Sequence, residues 1–138
     1  MVEFELSRIV IDEAKSEQVI VLKESGGDRI FPVIIGINEA VAIRTQIGGF
    51  VSSRPLTHDL ACAIIKSLGA GLEKIVIDKL LEGTFHAKLY LKDNTGKLKI
   101  VDARPSDGVA LAVRTKAPIF VDDKVLDKLA EENNPPVI

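Results

Sequence analysis

The sequence predicts a single α+β domain with a mostly antiparallel or mixed sheet and about four helices. Two observations carry this. The hydrophobic pattern runs three strands, two helices, three strands, a helix, a short strand and a helix, whereas a doubly wound sheet would alternate throughout. No linker divides the 138 residues, which is enough chain for one ordinary domain with a core of its own.

Val2, Phe4 and Leu6 alternate with Glu3, Glu5 and Ser7, the period of a strand with one buried face. Residues 18–23 and 29–35 are β-branched runs separated by "SGGD", a second and third strand in an antiparallel start. Pro32 cannot donate to a ladder, so either the third strand lies at an edge or its proline sits at a non-bonded position. In "GINEAVAIRTQIGG" the period changes: Asn38 can cap a helix, Glu39 falls in its first turn, and Ala40, Ile43 and Ile47 share a face. A second helix starts at Thr57, with Leu60, Ala61, Ile64, Ile65 and Leu68 as its apolar stripe and Leu60 the first inward residue. Residues 72–101 return to strand character, with "DNTG" as a turn. A short helix over 106–114, a strand over 119–121 and a last helix capped by Asp122 complete the domain, taken as 1–132, with 133–138 a frayed tail.

At 46% apolar and 28% charged residues the chain is globular, with 4% aromatics and no tryptophan. That scarcity argues against an aromatic platform for bases. A net charge of −2 and a pI near 5.7 do not mark a nucleic-acid binder as a whole, although a local basic patch is compatible with them. Cys62 is the only cysteine, which excludes an intramolecular disulfide, and within its apolar helix it reads as a buried, inert thiol. The acidic N-terminus lacks a secretory n-region, and no apolar run approaches the ~18 residues of a membrane span. The expectation is a cytoplasmic protein without a membrane partner.

Two stretches carry the chemistry: "RPLTHDL" at 54–60 and "RPSDGVAL" at 104–111. Pro55 and Pro105 push Arg54 and Arg104 into extended conformations on the approach to a helix start. Unpaired N–H groups and the helix dipole favour an anion there, and the guanidinium fork suits a phosphate. Pairing of these arginines with Asp59, Asp102 or Asp107 is the structural alternative. Thr57 and Ser106 read as N-caps. His58 can transfer a proton near neutrality, and a carboxylate can orient it or hold a divalent cation. Adjacent helix residues do not face each other, so a partner for His58 must come from elsewhere: Asp107, Asp102, Glu39 or His86. His86, alternating with Lys88 and Tyr90, reads as part of a solvated strand face. No metal-binding spacing is present, so a divalent ion such as magnesium on Asp59, Asp102 or Asp107 would need separate segments to converge.

"RPLTHDL" followed by "VDARPSDGVALAVR", with "GINEAVAI" before them, resembles the bifunctional nuclease family of small bacterial proteins and plant nucleases. The resemblance implies an α+β domain of unusual topology, self-association into a homo-oligomer, and cleavage of DNA and RNA. It selects Glu39, Arg54, Pro55, Thr57, His58, Asp59, Asp102, Arg104, Pro105, Ser106 and Asp107. Gly108 departs from the family pattern, which commonly has alanine there; glycine would let a backbone or phosphate approach closely. As a nuclease, Arg54 and Arg104 would hold phosphate, with His58, Asp59 and Asp107 catalytic and Glu39, Thr57, Asp102 and Ser106 supporting. The alternative is a noncatalytic oligomeric module in which these residues form a buried polar network.

Overall fold

The computed structural model describes residues 1–133. Its element order is that of the sequence pattern: β1 (Val2–Val10), β2 (Glu17–Glu24), β3 (Ile30–Gly36), α1 (Ile37–Ile47), α2 (Thr57–Ser67), β4 (Ala70–Leu81), β5 (Thr84–Asp93), β6 (Leu98–Ala103), α3 (Pro105–Thr115), β7 (Ile119–Val121) and α4 (Asp123–Asn133). The expected frayed tail falls beyond the described residues, apart from the backbone of Asn133, which closes α4.

Seven strands form one mixed sheet in the order β3-β2-β1-β7-β4-β5-β6. Two antiparallel meanders, β1–β3 and β4–β6, are joined through short β7, which pairs antiparallel with β1 and parallel with β4. Local chemistry sets the turns. Glu82 and Gly83 both have positive φ (50° and 78°), as a two-residue hairpin that follows the strand twist requires. In the "DNTG" turn, Asp93 Oδ1 accepts from the backbone N–H of Thr95 and Lys97. Buried Gln18 ties down the β1–β2 loop by donating to the carbonyls of Asp12 and Lys15. Of the two placements open to Pro32, the edge is the one observed: it sits on edge strand β3, opposite Val21.

The sheet is strongly curled. β3 and β5 lie five strand steps apart, about 24 Å in a flat sheet. Yet the Phe31 and Phe85 ring centroids are 5.5 Å apart, with Phe4 5.3 Å beyond Phe31. α3 fills the inner face of this cup: Pro105, Ser106 and Gly108 through Ala112 are buried. A Cβ at Gly108 would stand 3.0 Å from Ile75 Cγ2. Glycine is therefore there for close helix–strand packing, and the idea that it opens space for a phosphate is corrected.

Three local expectations are also corrected. Leu60, Ile64 and Leu68 do not face inward; they are 51%, 50% and 76% exposed, and α2 packs onto the core with Ala61 and Cys62 instead. The helix carries two adjacent apolar stripes, and periodicity alone cannot say which is covered. Ile47 is likewise exposed while Ala40 and Ile43 are buried. Finally, Thr57 and Ser106 do not cap: the Leu60 and Gly108 amides donate to the carbonyls of Leu56 and Arg104, which hold the cap positions. Pro105 at the first helical position starts α3 two residues earlier than a serine cap would. Asp122 does cap α4, its Oδ1 accepting from Lys124 N–H at 2.9 Å.

Candidate functional site

Three helix starts converge on one arginine–carboxylate pair, Arg104 and Asp107. Pro105 holds Arg104 extended (φ −73°, ψ 146°), so its side chain turns back over the first turn of α3. There Nε donates to Asp107 Oδ2 at 2.9 Å and Nη2 to Oδ1 at 3.2 Å, a bidentate pair. From α2, His58 Nε2 lies 2.9 Å from Asp107 Oδ1. From α1, Glu39 Oε1 is 3.1 Å from Arg104 Nη2. Gly36, the residue capping α1, admits this arrangement because any Cβ there would collide with the Glu39 carboxylate.

Burial pushes the Asp107 carboxyl up, but hydrogen bonds and charge from Arg104 and His58 outweigh it and hold the group below the usual carboxylate range. Asp107 is thus an acceptor at neutral pH. Its bond to His58 then requires the hydrogen on Nε2, and the neutral ring keeps its lone pair on Nδ1. His58 is mostly buried, while the Arg104 side chain is 64% exposed. Arg104 Nη1 has no hydrogen-bond partner among the described residues.

Asp59 turns elsewhere. Its Oδ2 accepts from Leu56 N–H at 2.9 Å and its Oδ1 from Arg114 Nε at 2.7 Å. The backbone bond and then Arg114 hold its carboxyl below the ordinary value. Leu56 offers no side-chain acceptor in return, so only one half of a capping box is present. Arg114, 6% exposed, also donates to the carbonyls of Ala110 and Ala42, which makes it the staple between α1, α2 and α3. Sequence reasoning missed Arg114, because an arginine in the last turn of a helix is ordinary dipole chemistry.

The remaining candidates are dispersed. Asp102 is exposed on β6 and takes the ammonium of Lys88 across the strand pair at 2.9 Å, which holds its carboxyl low. Arg54 is exposed in the loop before α2, without an ion pair among the described residues. Thr57 is exposed and Ser106 is buried. Asp59, Asp102 and Asp107 therefore serve three different cations and do not converge, and no group of three or more metal-ligating side chains is assembled among the described residues. Burial raises the Cys62 thiol above its usual value.

Two cavities open beside Arg104. One, of about 430 Å³, is lined by Thr84, Phe85, His86, Asp102, Ala103, Arg104 and Asp107. The other, of about 480 Å³, runs between β3 and the β4–β5 turn to Pro105 and Ser106. Arg104, Thr84 and Phe85 border both. His86, read from sequence as simple strand surface, thus shares a cleft with the cluster.

The fold and the site define an α+β domain with a polar centre at the meeting of three helix starts. The bifunctional nuclease domain matches residues 20–134, and the chain belongs to that family. It is 41% identical over 126 residues to an uncharacterized protein of Mycobacterium tuberculosis, covering 91% of this chain and 74% of that protein. It is 30% identical over 115 residues to Bifunctional nuclease 2 of Oryza sativa subsp. japonica, and 24% over 113 residues to Bifunctional nuclease 1 of Arabidopsis thaliana. In both cases 80% of this chain is covered, but the match spans only 35% of the plant protein.

Proposed function

We propose that the chain hydrolyses phosphodiester bonds in DNA and RNA at the start of α3. The observation that carries this reading is the chain of contacts from His58 through Asp107 to Arg104 at the edge of an open cleft. His58 Nδ1 takes a proton from the attacking water, and Asp107 orients the ring and stabilises the imidazolium that forms. Arg104 has its fork on Asp107 and keeps Nη1 for a phosphate oxygen. Glu39 fixes the guanidinium from the other side. Asp59 acts at one remove by anchoring the start of α2, which positions His58. Arg54 lends exposed positive charge to the phosphate backbone.

The test is cleavage of single-stranded and duplex DNA and RNA by purified protein, with magnesium, with manganese and with chelator. His58→Ala should lower the rate by about 10²–10⁴-fold, the usual worth of a positioned acid–base group. Activity that survives both His58→Ala and Asp107→Ala removes the reading. Chelator decides whether a divalent ion is needed.

One observation favours the noncatalytic alternative: Arg104 already holds two carboxylates, and Arg114 is buried against Asp59. In that reading the same residues only join helices. The uncovered stripe Leu60–Ile64–Leu68 supports the proposal that the chain pairs with a second copy in either case. A cytoplasmic site of action is part of the proposal; no helix among the described residues is long and apolar enough to cross a membrane.

A further inference from the structure

We infer that the larger cavity beside Arg104 receives the base of an unpaired nucleotide whose phosphate Arg104 holds, so that the preferred substrate is single-stranded nucleic acid. This rests on the nuclease reading for its phosphate and on the two cavities for its base. The larger cavity, about 480 Å³, is walled by Pro32, Val33, Ile35, Phe85 and Pro105, and its size falls in the ~300–1,000 Å³ range of small-molecule sites. The neighbouring cleft is polar, with His86, Asp102 and Asp107. Arg104 stands at the junction of the two.

A nucleotide has the same division. Its base is flat, uncharged and apolar on both faces, and its phosphate is an anion one sugar away. Phe85, bordering both cavities, offers a partly exposed ring on which a base can stack, and Glu17 at the rim of the larger cavity can accept from an amino edge. Phe85 is the one phenyl ring among the residues lining these two cavities, so a single base is engaged per site. In a duplex that base is stacked and paired, and entering the cavity requires extruding it at a cost in unstacking and unpairing. A single strand offers its bases without that cost.

Calorimetric titration of the full chain with adenosine 5′-monophosphate and with ribose 5-phosphate tests this. The nucleotide should bind about tenfold more tightly, the worth of one stacked base. Phe85→Leu should remove that preference and leave ribose 5-phosphate unchanged. Because Phe85 packs against Phe31, exposed Ser16→Trp at the rim of the same cavity provides a second variant that does not touch the core, and it should block the nucleotide alike. Equal binding of the two compounds, or a nucleotide preference intact in both variants, overturns the inference. Cleavage assays separate it from the parent reading. A nucleotide preference lost in the variants, without cleavage of any strand, would sink the nuclease and keep the base site. Equal cleavage of single and double strands with no nucleotide preference would do the reverse.

Discussion

The two Arg-Pro motifs look alike in sequence and do different work in the fold. In both, an Arg-Pro pair stands at a helix start whose first turn carries an aspartate. In the second motif that aspartate, Asp107, is the hub for Arg104 and His58. In the first, Asp59 closes its own helix start and receives Arg114 from the far end of α3, while Arg54 has no ion pair among the described residues. Proline placement explains part of the divergence. Pro105 occupies the first helical position, so Arg104 is itself the cap residue and folds over the turn. Pro55 lies two positions farther out, just before the cap, so Leu56 takes the cap and Arg54 is carried away from the helix. Burial separates the motifs further: α3 is almost wholly buried, whereas α2 has no buried residue. A shared pattern of residue types specifies a helix start; the offset of one proline decides whether the arginine joins it.

This contrast can be broken at several points. The largest effect belongs to Asp107: with Asn in its place the imidazolium loses its counter-charge, and cleavage should fall by at least about 100-fold. Next is stability. Arg114→Ala removes a buried guanidinium and leaves Asp59, about a third exposed, without its cation; it should cost about 2 kcal/mol, below the ~3–5 kcal/mol of a fully buried pair because solvent screens Asp59. Arg54→Ala should stay within about 0.5 kcal/mol of wild type by urea denaturation. If the two arginines cost the same, the comparison fails.

A third expectation concerns pH. Asp59 and Asp107 both have carboxyls held below their ordinary values, so the stability they add is complete above about pH 4 and is lost as pH falls through their lower folded values. Acid titration of the unfolding free energy should therefore show a decline below about pH 4 that is shallower in Asp59→Asn. The smallest effect on stability is expected at the uncovered stripe of α2. Ile64→Glu should shift the mass measured by light scattering toward the monomer and leave the unfolding midpoint of the monomer within a few degrees.

Much of the architecture was legible because strand alternation, turn residues and the two Arg-Pro boundaries are local signals. The restriction on where Pro32 can sit and the capping by Asp122 followed from backbone chemistry alone. What escaped depended on tertiary packing. Thr57 and Ser106 are good caps by type, but Pro105 at the first helical position moved the start of α3 to Arg104, and α2 starts at Leu56, where Asp59 closes the turn. Leu60 and Ile64 read as core because two adjacent stripes fit the same period. In the candidate site, Asp107 stood among the possible partners of His58 and of Arg104, but which pairing forms, and that Glu39 joins through Arg104, is decided by the curled sheet and the three helix starts. Arg114 and the cleft position of His86 required the fold, since neither carries a motif.

The most direct measurement is the initial rate of cleavage of one single-stranded oligonucleotide by wild type and by Asp107→Asn, with unfolding midpoints measured on the same preparations. The account predicts measurable wild-type cleavage that falls at least about 100-fold in Asp107→Asn while both proteins remain folded at the assay temperature. Equal rates in the two folded proteins, or no cleavage by wild type, would contradict it.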